Sequence, residues 1–162
     1  MKPELRILSL PCINSLEILL DFVYQRVIDS SLRNVWASIT DPCVVEVHLP
    51  GQASVTKTGD KKYRVSFKIS VGFFRPTVNI NVHLSGIVNQ ASVDIEVTGK
   101  SMGAAVCGVG TIVIAPTDVG LTNLEINAEV QSSGLLNNVD DSKIKTATAE
   151  FIDAYLSKVE TV

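Results

Sequence analysis

His48 and His83 are the only histidines in the 162 residues, so any Ser/His/Asp or Cys/His catalytic set, or any imidazole-based metal site, would have to be built on them. No such set assembles around either, and neither a metal nor a cofactor is expected. The glycine-rich run GKSMGAAVCGVGT (99–111) invites a phosphate-loop reading. It fails that test, because no Gly-Lys-Ser/Thr follows the glycines and a strand, not a helix N-terminus, comes next. Its glycines read instead as places where a sheet can bend. Arg26 shares the strand phase of Leu20, Phe22, Tyr24 and Ile28, which points a guanidinium the same way as four apolar side chains. Either the strand's end releases it to solvent, or it anchors the head group of a ligand. The hydroxyls of Tyr24, Tyr63 and Tyr155 are the other polar tips that could point inward, although packing alone would account for them.

The elements that must position these groups show in the hydropathy pattern. Tyr63, Val65, Phe67, Ile69 and Val71 alternate with Lys62, Arg64, Ser66, Lys68 and Ser70. Val78, Ile80, Val82 and Leu84 repeat the pattern against Thr77, Asn79, Asn81, His83 and Ser85, as do Val93, Ile95 and Val97, then Leu124, Ile126, Ala128 and Val130. A period of two with one wet face marks antiparallel sheet, and places His83 on the solvated side. Short connections at Gly59-Asp60, Gly72 to Pro76, Asn89 to Ala91 and Pro116 to Gly120 favour a meander of hairpins over helical crossovers. An earlier strand is expected over 17–29. A short helix follows, capped by Ser30 or Ser31 and running over 32–39, and Pro42 opens a second. From near Asn138 the period becomes helical, with Ile144, Ala147, Thr148, Phe151 and Tyr155 on one face, widened by Ile152, Leu156 and Val159.

The expected order is one strand, two short helices, six strands and one long C-terminal helix. One helix covers a strip only about 10 Å wide, so a seven-stranded sheet must curl around it to keep its inward side dry.

Composition narrows the function. A chain of this length suits a single domain. With 14 Lys+Arg against 17 Asp+Glu the net charge is −3 and no basic run occurs, which excludes a nucleic-acid footprint. Mean hydropathy is +0.28. The two long uncharged stretches, 76–93 and 101–117, are alternating or glycine-rich and read as buried strands, so no integral membrane segment is expected. Glu4 and Arg6 interrupt any signal-peptide core, and Cys12, Cys43 and Cys107 are odd in number with no C-x-x-C pair; both suggest free thiols in the cytoplasm. Oligomeric state leaves no mark in the sequence.

VWASITDP (35–42), LPG (49–51), KTGD (57–60) and VG (71–72), in that order, with GVGTIVIAP (108–116) and the terminal helix behind them, carry a family resemblance. The chain resembles the helix-grip fold of the SRPBCC superfamily, which includes the START lipid-transfer domains and the birch-pollen allergen group. Within it, the chain is most similar to the CoxG family, named for a component of carbon monoxide dehydrogenase. The likeness covers about 17–159. Met1 to Ser15 stands outside it as an extension of unknown role, with 16–162 as the single domain. The resemblance implies an α+β fold in which the curved seven-stranded sheet grips the C-terminal helix. Trp36 would close one end of the core, and Asp41-Pro42 would stop one short helix and start the next. His48, beside Leu49-Pro50, would stand at the mouth of a cavity.

A ligand container rather than a catalyst follows from apolar strand faces that outnumber what one helix covers. The expected lining is Phe22, Tyr24 and Arg26 from the first strand, Trp36 and His48 from the short helices, and Tyr63, Val65, Phe67, Val82, Ile95, Ile112 and Ile126 from the later strands. Ala147, Phe151 and Tyr155 add the helix face. The guest would be a hydrophobic small molecule such as a lipid or quinone. The resemblance adds a protein partner, a carbon monoxide dehydrogenase or related molybdenum hydroxylase. The alternative is an enzyme of the cyclase or hydrolase kind, working through Arg26 with Tyr24, Tyr63 or His48 inside the same hollow.

Overall fold

The computed structural model describes residues 18–50, 52–68, 77–101, 104–134 and 140–161. The chain runs β1 (Ile18–Ile28), α1 (Leu32–Thr40), α2 (Pro42–His48), β2 (Ser54–Gly59), β3 (Lys62–Lys68), β4 (Thr77–Val88), β5 (Ser92–Ser101), β6 (Ala104–Pro116), β7 (Thr122–Gly134) and α3 (Asp141–Glu160). The strands form one open antiparallel sheet in the order β1-β7-β6-β5-β4-β3-β2. Only β1 leaves the sequential meander, because the two short helices carry the chain across to begin again at the opposite edge. The expected turn at Gly72 to Pro76 and the extension at Met1 to Ser15 lie outside the described residues.

Local chemistry accounts for the helix bounds. Ser31 Oγ accepts the Asn34 N–H at 3.2 Å, so the second of the two candidate serines is the cap of α1. Asp41 has two tasks. Its own N–H closes α1 on the Ala37 carbonyl at 2.9 Å, while its carboxylate accepts the Cys43 N–H at 2.9 Å and Pro42 occupies the first position of α2.

Register places the apolar set on one face. Tyr24 stands opposite Ile126, which stands opposite Ile112, which stands opposite Val93. The curl follows from which strands meet the same helix. Phe22 and Tyr24 of β1 pack with Leu156 and Val159 of α3, while Val65 and Phe67 of β3 pack with Phe151, and Tyr155 touches both groups. Two glycines of β6, Gly108 and Gly110, share the inward phase of Ile112 on the same strand, opposite Val130 and Ala128 of β7. Two hairpin turns reach positive φ without glycine, at Lys61 (φ 59) and Gln90 (φ 55). Cys107 departs from expectation. It is 1% exposed and disulfide-bonded, whereas Cys43 is the exposed free thiol.

Candidate functional site

A cavity of about 250 Å³ lies between the sheet, the short helices and α3. Its walls are Val55 of β2; Tyr63, Val65 and Phe67 of β3; Ile80, Val82 and Leu84 of β4; Ile95, Ile112, Leu124 and Ile126 of β5 to β7; and Phe151, Ile152, Tyr155 and Leu156 of α3. Ser38, Ile39, Thr40, Pro42, Val45 and Leu49 close the end formed by α1 and α2. Among the described residues no lining side chain carries a charge, and only Ser38, Thr40, Tyr63 and Tyr155 bring a polar side-chain atom.

Tyr63, Val65, Phe67, Val82, Ile95, Ile112, Ile126, Phe151 and Tyr155 stand in this wall. The other residues expected there lie elsewhere, for one physical reason: α3 lies over β1, so the hollow is left on the β2 to β5 side. Phe22 is buried in the opposite core cluster, stacked on Tyr24 with ring centroids 6.5 Å apart. Trp36 packs against the same cluster. Ala147 is exposed, because the buried stripe of α3 runs through Ala149, Ile152, Leu156 and Val159, and Ala147 is about 200° of helical rotation from Ala149.

Arg26 points inward but finds carboxylates, not a guest. Its Nη2 donates to Glu160 Oε1 at 2.8 Å and its Nη1 to the Asp153 carbonyl at 3.1 Å, with Asp153 Oδ1 at 3.4 Å. The Tyr24 hydroxyl donates to the same Asp153 carboxylate, and Glu160 Oε2 accepts the Asp29 N–H at 2.9 Å. The cluster fastens the C-terminal half of α3 to the end of β1. It stands across the helix from the cavity.

Burial, the proton donated to Asp153 and the nearness of that carboxylate push the Tyr24 phenol up to about 12, with Arg26 opposing. Below the ordinary tyrosine value of 10.0 the phenol is protonated whether the chain is folded or not, so its full contribution to stability is present. Between pH 10.0 and about 12 the unfolded chain gives up that proton and the folded chain keeps it, so stability falls as pH rises. Burial raises Tyr155 as well. The melting temperature of the protein is therefore expected to drop through this window, and Tyr24→Phe to drop less steeply. Identical slopes in thermal melts of the two proteins would refute this account of Tyr24.

At the α1–α2 end the hydroxyl protons are already committed. Ser38 Oγ donates to the Val35 carbonyl at 2.6 Å, Thr40 Oγ1 to the Trp36 carbonyl at 2.9 Å, and Tyr155 Oη to the Ser38 carbonyl at 2.6 Å. His48 is 7% exposed and meets the Tyr155 ring edge-on, with centroids 5.9 Å apart. His83, on the outer face, stands 3.4 Å from Glu96 on the neighbouring strand. No group of three or more metal-ligating side chains occurs among the described residues.

The model of the carbon monoxide dehydrogenase CoxG family matches residues 25–162. The chain belongs to that family. No curated protein matches the sequence. Among solved structures, a conserved protein from Geobacillus kaustophilus superposes with a TM-score of 0.80 at 16% identity, over 88% of this chain and 93% of the other. An aromatase/cyclase from Streptomyces sp. R1128 gives 0.60 at 10% identity, covering 88% and 94%. Truncated norcoclaurine synthase from Thalictrum flavum gives 0.60 at 14%, covering 91% and 98%. At these identities the likeness is one of fold, and the fold is the helix grip. The family match begins at Gln25 and so takes in every element that walls the cavity. No described helix is long and apolar enough to cross a membrane.

Several wall residues were legible but unassigned. Strand alternation already turns Ile80, Leu84 and Leu124 inward, and the spacing of Pro42, Val45 and Leu49 puts them on one face of α2. No sequence signal marks Ser38 and Thr40. They enter the wall because the C-terminal turn of α1 borders the cavity.

Proposed function

We propose that the protein binds a hydrophobic small molecule, a lipid or quinone-like compound, in the cavity between sheet and C-terminal helix, and that it does so without catalysis. The observation that carries this reading is the wall itself: about 250 Å³ lined by side chains of which, among the described residues, none is charged. At about 24 cal/mol per Å³, a sealed and dry hollow of that volume would cost on the order of 6 kcal/mol, set against a net domain stability of about 5–15 kcal/mol. A lipophilic occupant offsets that cost, and apolar contact over the enclosed surface supplies its affinity.

The family supports a role beside a carbon monoxide dehydrogenase-type molybdenum enzyme, with the protein holding or delivering the guest in the cytoplasm. The disulfide at Cys107 is the observation that pulls against a reducing compartment. The aromatase/cyclase and norcoclaurine synthase likeness favours a second reading, an enzyme acting on a guest in the same hollow. That reading needs an acid–base pair in the wall. Arg26 and Tyr24, its best polar candidates, are engaged with Asp153 and Glu160 on the far side of α3.

Mass spectrometry of organic extracts from natively purified protein tests the container. A defined lipophilic molecule in near-stoichiometric amount is expected. Clean extracts from protein that also takes up no lipophilic probe would end this reading.

A further inference from the structure

Four hydroxyls stand in the described wall of the cavity, and three have spent their hydrogen. Ser38, Thr40 and Tyr155 each donate to a backbone carbonyl of α1. Tyr63 has no hydrogen-bond partner among the described residues. Its oxygen is not sealed either: the described side-chain atoms buried without a partner are His48 Nε2, Asn123 Oδ1 and Gln131 Oε1, so Tyr63 Oη keeps accessible surface.

Lining residues surround the root of this side chain. Val65 stands two positions on along β3, Val82 faces Tyr63 from β4, and Val55 faces Val65 from β2. Tyr63 shares their inward phase, and a strand side chain stands close to perpendicular to its sheet. A tyrosine is longer than the valines beside it, so its hydroxyl projects past their methyl groups into the space between sheet and α3.

A tyrosine in an apolar setting ordinarily finds a partner for its hydroxyl. A phenol gives up its hydrogen more readily than it shares its lone pairs, which the ring delocalises, so the partner that suits Tyr63 is an acceptor. A carboxylate would bring a charge into a wall whose described residues hold no cation to answer it. A carbonyl oxygen accepts without that charge.

Resting on the container reading, we propose that the cavity selects a neutral apolar molecule bearing a carbonyl oxygen, such as a long-chain ketone or ester, with the Tyr63 hydroxyl donating to that oxygen. Tyr63 then also fixes which way round the guest lies, with its carbonyl held toward β3.

The test uses 2-decanone, its near-isostere 2-methyl-1-decene, in which =CH2 replaces the oxygen, and decanoate. Each is titrated into protein stripped of bound organic material, by displacement of the neutral fluorophore 1-aminoanthracene. Tyr63→Phe keeps the ring and removes only the hydroxyl, so the ratio of ketone to alkene affinity should fall about fivefold in the variant. The Tyr63 Cζ resonance of 13C-tyrosine-labelled protein should move further on adding the ketone than on adding the alkene. Decanoate should bind more weakly than the ketone. An affinity ratio that is the same in both proteins, a Cζ resonance that answers ketone and alkene alike, or decanoate binding tighter than the ketone would overturn the proposal and leave the container standing. Uptake of none of the three probes removes both. Should Tyr63→Phe fail to fold, the Cζ resonance and the decanoate comparison in the native protein decide alone.

Discussion

Gly110→Ala is expected to lose about 3 kcal/mol of stability, at the upper end of ordinary overpacking, and to melt roughly 10 °C lower. A Cβ on Gly110 would come within 2.7 Å of the Asn127 carbonyl oxygen, 2.8 Å of Ala128 Cβ and 3.1 Å of Ala128 Cα. Those are mostly backbone atoms of the paired strand, held by the β6–β7 ladder on both sides, so they cannot swing aside as a long side chain would. Two residues away the same change should be harmless. A Cβ on Gly108 finds its nearest neighbours at 3.5 Å, ordinary van der Waals contact. Alanine also has less backbone freedom to lose than glycine, so Gly108→Ala should be neutral or gain about 0.5 kcal/mol. Chemical denaturation of both variants gives the answer. Equal losses would mean that the close approach of the β7 backbone at Gly110 does not decide the cost.

The second large effect concerns occupancy. Val82 lines the cavity from β4, with Tyr63 and Val97 as its cross-strand neighbours. Val82→Phe has nowhere to put its ring except the hollow, so uptake of a lipophilic guest should fall more than tenfold, the equivalent of about 1.4 kcal/mol. Stability should move the other way in stripped protein, rising by on the order of 1 kcal/mol as part of the empty volume is filled. A core without spare room would behave in the opposite sense, with overpacking costing about 1–3 kcal/mol. The sign of the change in melting temperature, read beside probe binding, separates a container from a solid core.

The fold was legible because its signals are local. Alternation in Tyr63 to Phe67 and in Leu124 to Val130 needs no partner to be read, and Ser31, Asp41 and Pro42 mark helix ends by their own chemistry. The site was legible by strand and not by side. Which flank of the sheet the long helix covers is set by contacts such as Arg26 with Asp153 and Glu160, 127 and 134 residues away in the chain, and no spacing rule reaches that far. Arg26 illustrates the gap. Its inward phase was readable, but the carboxylates that answer it were not. The left-handed turn conformation fell to Lys61 although glycine stood two positions earlier, because the register shift after Lys57 moves the tight corner along the chain.

Asp41 carries a last consequence. A residue that ends one helix and begins the next leaves no linker between them, so α1 and α2 meet at a single capped corner. Tyr155 latches that pair to the long helix through the Ser38 carbonyl. Any movement of that pair away from the long helix must first break this bond, so Tyr155→Phe should loosen the wall that the short helices give the cavity.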